Sequence, residues 1–216
     1  MDEREATPNV ETMRFGPLTI SSDPRVLRPR EWTLTQSEWA ADLLVDAPEG
    51  DVLELCTGAG QIGLAALTLA EDGRRLVAVD ADPVAVGFAR ANAHTAGLAD
   101  RVEVRQGELG EALEEWESFA LVVADPPWVQ ADEVDTFPED PTFAIDGGED
   151  GLAVARECVR VVEAHLAPGG SAILQLGDAD QADTLRSELD EASPLRFGEV
   201  RRFERGALVR IDRPAR

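Results

Sequence analysis

The order of apolar and polar positions divides the chain into alternating short strands and longer helices. Residues 52–56, 76–79, 102–105, 119–124 and 171–176 form short runs that read as strands. The run 119–124, Phe-Ala-Leu-Val-Val-Ala, has no polar side chain, as a central strand covered on both faces requires. Between the strands, residues 62–70, 82–96 and 151–166 read as helices. The second opens on Asp82 at the N-cap and Pro83 at the first helical position. An earlier helix is marked by Thr35 and Glu38 at capping-box spacing, with Trp39, Leu43 and Leu44 on one face. Pro168-Gly169-Gly170 should break the chain before strand 171–176, and a polar helix should span 180–191.

Residues 197–200 and 207–211 read as two final strands, joined too closely for a crossover helix. They should therefore pair as an antiparallel hairpin at the sheet edge. The whole pattern predicts an α/β fold: one doubly wound, mainly parallel sheet of seven strands with helices on both faces. Residues 1–17 are polar and irregular and read as a flexible tail, with a short extended piece at 18–20; the domain then occupies 18–216.

Charge narrows the partners. The chain carries 43 acidic and 20 basic residues, a formal net charge of -23, and every basic residue is Arg. Such a field repels phosphates, so nucleic acid is a poor partner and the acidity reads as a solvated surface, in keeping with a high-salt cytoplasm. Cys56 and Cys158 show no paired spacing and read as small core residues, not as a disulfide or zinc site. No metal is expected. No segment approaches a membrane span, and a cytoplasmic protein is expected. His94 and His165 read as helix-surface or capping residues, and Glu111, Glu114, Glu115 and Glu117 as a solvated run.

Two motifs carry candidate chemistry. The first, Glu54-Leu55-Cys56-Thr57-Gly58-Ala59-Gly60, lies where the first strand of the alternating series turns into its helix. Ligands in such sheets bind beyond the carboxyl ends of strands, and glycines there let a ligand approach the backbone. Gly58, Gly60 and Gly63 spell G-x-G-x-x-G, and Asp80 stands about twenty residues on, so a dinucleotide enzyme must be weighed. Asp80, followed by Ala81, suits any adenosine ribose. Glu54 before the turn repels a pyrophosphate but attracts a sulfonium or ammonium group, directly or through its hydrogen-bond network, which favours S-adenosylmethionine. Gly107-Glu108 reads either as a solvated turn or as a contact for an adenine amino group. With Thr57, these residues form the candidate cofactor set.

The second motif, Asp125-Pro126-Pro127-Trp128, follows the strand 119–124. Two prolines hold the backbone extended and remove its donors. The Asp125 carboxylate and the Pro126 carbonyl can then accept both hydrogens of one NH2 group. A delocalised amide or aromatic amine nitrogen is thereby turned with its lone pair toward a methyl carbon. Trp128 offers a face for a planar group.

The run from Glu54 through Asp80, Glu108 and Asp125 to Trp128 resembles the class I S-adenosylmethionine-dependent methyltransferases, and among them the HemK-type release factor glutamine methyltransferases. Three further segments match that family: Arg28-Pro29-Arg30 with Thr33, Ala144-Ile145-Asp146-Gly147-Gly148 with Gly151-Leu152, and Pro168-Gly169-Gly170. The resemblance implies a Rossmann-like domain, S-adenosylmethionine as cofactor with S-adenosylhomocysteine as product, and in-line methyl transfer to nitrogen without metal or covalent intermediate. The acceptor would be a protein glutamine or a small molecule. Asp146-Gly147-Gly148 is either a plain turn or a lid over the substrate. The family pattern has Asn-Pro-Pro-Tyr where this chain has Asp125 and Trp128, and aspartates where it has Glu54 and Glu108. An Asp-Pro-Pro-Trp motif also resembles adenine methyltransferases of nucleic acid. A cofactor-binding scaffold that has lost catalysis is the third reading, and an NAD oxidoreductase is the last.

Overall fold

The computed structural model describes residues 9–190 and 192–215. Its elements, in chain order, begin with β1 (Glu11–Phe15), β2 (Leu18–Ser22), α1 (Leu34–Leu44), β3 (Asp51–Leu55) and α2 (Gln61–Ala70). Next come β4 (Leu76–Asp80), α3 (Pro83–Thr95), β5 (Val102–Gln106), β6 (Phe119–Ala124) and α4 (Thr142–Ile145). The last are α5 (Ala153–His165), β7 (Leu166–Leu176), α6 (Ala179–Glu188), β8 (Arg196–Arg202) and β9 (Ala207–Asp212).

Seven strands form one sheet in the order β5-β4-β3-β6-β7-β9-β8. The first five lie parallel, and β9 runs antiparallel to both β7 and β8, as the short final connection requires. Alternate residues bury against opposite layers. Val52, Leu76, Ala78, Leu121 and Val123 pack with Trp39 of α1, Leu64 and Leu67 of α2 and Val86 of α3. Leu53, Leu55, Val77, Val79 and Val122 pack with Cys158 and Val162 of α5 and Leu185 of α6. All six residues of β6 are buried. From β3 the chain winds outward to β4 and β5, then returns past β3 to β6 and β7. The crevice opened by this reversal lies at the carboxyl ends of β3 and β6, where both candidate motifs stand.

Several boundaries differ from the sequence reading. Glu11–Phe15 are not an irregular tail: they pair antiparallel with β2 through a turn at Gly16, where φ is +54°. The rest of the expected tail, residues 1–8, lies outside the described residues. Helix α1 starts at Leu34, so Thr35 lies inside it. The hydroxyl of Thr33 donates back to Arg30 O at 2.8 Å, closing a 3-10 turn over Glu31–Thr33 and leaving the capping-box spacing unused. Pro168-Gly169-Gly170 does not separate helix from strand, because β7 already begins at Leu166. The triplet is absorbed as a bulge between the pairs Phe119↔Leu166 and Leu121↔Ser171, with Gly169 at φ +83°. Helix α6 is N-capped by Asp178, whose carboxylate accepts from Gln181 N at 2.8 Å, and ends at Glu188. Residue 191, the expected end of this helix, lies outside the described residues.

Two polar residues are less exposed than their patterns implied. His165 is buried, its Nδ1 2.9 Å from the carbonyl oxygen of Glu117. The Glu117 carboxylate is likewise not simply solvated: Arg105 grips it through two nitrogens at 2.7 and 2.9 Å and holds its pKa below the usual value. His94, in the last turn of α3, is exposed as read.

Candidate active site

Strand β3 ends at Leu55, and the next residues turn sharply into α2. Cys56 (φ +56°), Gly58 (φ +55°) and Gly60 (φ +83°) all take left-handed backbone conformations, which cost a non-glycine residue free energy. Cys56 is therefore not a strand core residue: it stands one position past β3, half-buried, in the wall of a cavity. Beneath the turn lies Glu54, only 2% exposed. One of its oxygens accepts from Thr57 Oγ1 at 2.5 Å and the other from Gly63 N at 2.8 Å. A Cβ on residue 63 would stand 2.5 Å from the same carboxylate. The third glycine of G-x-G-x-x-G is thus explained by a buried acid under the helix start and not by a diphosphate above it. Burial pushes Glu54 up to about 7 against the pull of its two hydrogen bonds.

Asp80, the last residue of β4, ties the turn to the neighbouring strand. It accepts from Gly58 N at 2.7 Å and from Asp82 N at 3.0 Å, while burial raises its pKa. Gly107 N donates to Asp80 O at 3.0 Å, which brings the start of the β5–β6 connection beside them.

Two cavities meet over the sheet edge. The first, of about 630 Å³, is bordered by Gly58, Asp80, Ala81, Glu108, Asp125 and Pro127 among the candidate residues. Glu54, Thr57, Gly60 and Gly107 do not border it and shape the turn from behind. The second, of about 420 Å³, is bordered by Asp125, Pro126, Pro127 and Trp128 together with Arg30, Trp32, Thr33, Glu204 and Arg205. Asp125 and Pro127 belong to both walls and form a partition. Desolvation pushes Asp125 up to about 7, and no hydrogen bond among the described residues engages its carboxylate or the Pro126 carbonyl. Two acceptors thus stand free where the cavities touch.

The partition is braced from three sides. Trp128 packs over Gly177, where an added Cβ would come within 2.7 Å of its Cε3, and its carbonyl accepts from Gln181 Nε2 at 3.0 Å. The segment 145–148 is stitched to the chain after Trp128 by Val129 N to Ile145 O, Gly147 N to Val129 O and Ala131 N to Gly148 O, at 2.8–2.9 Å. Asp146, Gly147 and Gly148 themselves border neither cavity, whereas α4 just before them brings Ala144 to both and the exposed Phe143 to the first. Arg30 bridges to Asp140 at 2.5 Å across the mouth of the second cavity. The last wall is the tip of the β8–β9 hairpin, with Glu204 and Arg205 exposed and Gly206 pressed against Leu176 O, 2.7 Å from where a Cβ would be.

The sequence reading missed Gln61, Phe143, Gln181, Trp32 and the hairpin tip. Gln61 adjoins the glycine turn and so carried a local signal; the others are brought in by tertiary packing alone. Among the described residues, the wall of the first cavity holds six carboxylates, from Asp80, Asp82, Glu108, Glu111, Asp125 and Glu157, and no arginine. It suits a cationic, hydroxyl-rich ligand and repels a diphosphate. No group of three His, Cys, Asp or Glu side chains placed to hold a metal occurs among the described residues. No helix among them is long and apolar enough to cross a membrane.

Known proteins resemble this chain in sequence and in fold. The release factor glutamine methyltransferase of Mycolicibacterium smegmatis is 34% identical over 184 residues, which are 82% of this chain and 63% of that protein. The ribosomal protein uL3 glutamine methyltransferase of Francisella tularensis is 29% identical over 174 residues, 78% of this chain and 55% of that protein. The chain thus spans just over half to about two thirds of the length of these relatives. In fold it is similar to an RNA methyltransferase from Salinibacter ruber solved with S-adenosyl-L-homocysteine, with TM-score 0.56 and 21% identity over 88% of this chain and 95% of that one. The sequence profile of the methyltransferase small domain matches residues 36–190, from α1 through α6 and across both cavities, and the chain belongs to that family.

Proposed function

We propose that the protein is an S-adenosylmethionine-dependent N-methyltransferase, and that its acceptor is a planar NH2 group, foremost a glutamine side chain of a translation protein. The observation that carries this reading is the partition: Asp125 and Pro127 face a ligand-sized cavity on each side. The names of the relatives favour glutamine.

The first cavity fits the cofactor in charge and in its unengaged polar groups. When bound, S-adenosylmethionine supplies an electrophilic methyl group on a cationic sulfur. Asp80 would hold the ribose hydroxyls, Ala81 and Glu108 would border the base, and Gly58 would admit the ligand close to the backbone. Glu54, Thr57, Gly60 and Gly107 would keep the turn in shape. On the other side, the Asp125 carboxylate and the Pro126 carbonyl would each accept a hydrogen of the acceptor NH2, leaving its lone pair directed at the first cavity. A carboxylate pushed up to about 7 is also fitted to take the proton that the nitrogen sheds. Trp128 would lie against the planar group.

Methyl transfer from labelled S-adenosylmethionine to release factor, ribosomal protein uL3, tRNA and DNA tests the assignment. Label on a glutamine of either protein is the expected result. Label on adenine would move the acceptor to nucleic acid, the reading that Asp125 and Trp128 favour by motif. Cofactor binding without transfer to any acceptor would point to a scaffold.

Cofactor binding should also expel protons. Asp125 and Glu54 are both pushed up to about 7, so at pH 7 each is partly protonated before the ligand arrives. A sulfonium in the first cavity stabilises the ionised forms and drives protons off. Calorimetry at pH 7 in buffers of different ionisation enthalpy should show proton release with S-adenosylmethionine and less with uncharged S-adenosylhomocysteine. Equal release with the two ligands would contradict this charge reading.

A further inference from the structure

The motif Asp125–Trp128 cannot anchor itself through its own donors. Pro126 and Pro127 have no backbone N–H, and among the described residues no hydrogen bond uses the N–H of Asp125 or Trp128. Polar anchorage must come through carbonyls, and two glutamines far apart in the chain take one at each end. Before the motif, Gln36 of α1 donates from Nε2 to Ala124 O at 3.0 Å and to Ile173 O at 3.1 Å. At its end, Gln181 of α6 donates from Nε2 to Trp128 O at 3.0 Å. Neither glutamine borders either of the two cavities.

The two amides are themselves fixed in different ways. Gln181 is fully engaged: its Oε1 accepts from Gly177 N at 2.8 Å, and its Nε2 also reaches Asp150 O at 3.3 Å. Glycines make room for it. A Cβ at residue 151 would strike its Nε2 and Trp128 O, and one at residue 177 would stand 3.1 Å from its Oε1. One amide thus joins the end of β7, the end of the motif and the segment before α5. Gln36 is completely buried, and two carbonyls facing its nitrogen set the amide's orientation, yet its Oε1 has no partner. A half-satisfied buried amide is a poor choice for stability alone. Its use is the carbonyl that it holds beside Asp125.

We propose that Gln36 and Gln181 form a clamp on the acceptor motif. By holding Ala124 O and Trp128 O they fix the span between, and so set the Asp125 carboxylate and the Pro126 carbonyl at the separation that one NH2 group requires. The inference rests on the acceptor reading above and adds to it the residues that hold its geometry. Both are positioning residues, since neither touches substrate, cofactor or the reacting atoms.

Gln36→Met and Gln181→Met each remove one amide at similar volume. Methyl transfer to release factor, or to uL3 if that protein takes the label, should fall about tenfold in kcat in either variant, because a loosely held reacting group loses its alignment. S-adenosylhomocysteine affinity, by calorimetry, should stay at the wild-type value. With one end released, releasing the other matters little, so the double variant should lose hardly more kcat than either single one, whereas the losses in Tm should add. Gln181→Glu covers the case in which a Met variant does not fold. Its carboxylate keeps the bond from Gly177 N and cannot donate to Trp128 O until it is protonated, so its kcat relative to wild type should rise as pH falls. Unchanged kcat in a Met variant, losses that multiply in the double variant, a parallel loss of S-adenosylhomocysteine affinity, or a pH-independent ratio in Gln181→Glu would each overturn the clamp. Wild-type protein that binds S-adenosylhomocysteine but labels no acceptor would refute the acceptor reading itself, and the clamp with it, a result distinct from all of these.

Discussion

Asp125→Ala should lower methyl transfer by about 10²–10³-fold, the size of effect seen when one preorganised polar group is removed from a reaction centre. S-adenosylhomocysteine affinity should stay close to wild type. The separation follows from position. Asp125 stands in the partition, while the proposed cofactor cavity is bordered further away by Asp80 and by Gln61 at the start of α2. Removing its carboxylate leaves the β6 backbone and the Pro126 carbonyl in place, so the acceptor keeps one of its two tethers. Asp125→Asn should lose far less, because a carboxamide oxygen still accepts.

The pH profile separates the two variants further. Burial places Asp125 at about 7, and its protonated form donates where it should accept. Wild-type kcat/KM, which reports the free enzyme, should therefore rise as pH increases through about 7 and level off above it. In Asp125→Asn this acid limb should vanish. An unchanged profile in that variant would assign the limb to Glu54, the other buried acid at about 7. A loss of S-adenosylhomocysteine affinity in Asp125→Ala as large as the loss of rate would remove the residue from the acceptor side.

The second large effect is on stability. Gly63→Ala puts a methyl group 2.5 Å from a Glu54 oxygen and 2.8 Å from Leu76 Cδ2, both ends of buried side chains that must shift to admit it. Overpacking of this kind costs about 1–3 kcal/mol. For a domain of this size each kcal/mol lowers Tm by about 2–4 °C. Thermal unfolding at pH 7 should show a fall of several degrees. Glu54→Asp, with a shorter side chain, should recover part of that loss, so the two substitutions should be non-additive. A Gly63→Ala protein that unfolds at the wild-type temperature would show that the acid under the turn moves freely.

The seven-stranded sheet was legible because each strand between helices is short, apolar and bounded by turn residues, and because β6 has no polar side chain at all. The glycine turn and the Asp125–Trp128 motif were legible because both combine local backbone demands with a place at the end of a strand. Strand β1 was not: Glu11, Thr12 and Arg14 look like tail residues, and only pairing with β2 makes them a strand. Pro168-Gly169-Gly170 misled for a related reason. A proline and two glycines interrupt most strands, but here Gly170 lies against the β6 backbone, 2.8 Å from Ala120 O to an added Cβ, so the sheet accommodates them as a bulge. The place of Glu54 beneath the turn was not legible, since a sequence shows a carboxylate beside a turn but not which side of it the carboxylate takes. Gln61 was not legible either, because a glutamine at a helix start is ordinary until the structure shows its Oε1 buried without a hydrogen-bond partner.

The hairpin tip at the far edge of the sheet bears on how such a protein diversifies. Glu204 and Arg205 reach the second cavity from an exposed turn, closed by Phe203 N donating to Gly206 O at 3.0 Å, while Asp125, Pro126 and Pro127 follow the buried central strand β6. Exchanging those two outer side chains disturbs no core packing and leaves the partition intact. On the proposed function, a few surface substitutions there would retune which acceptor is admitted, at almost no cost in folding, and would leave the chemistry beneath unchanged.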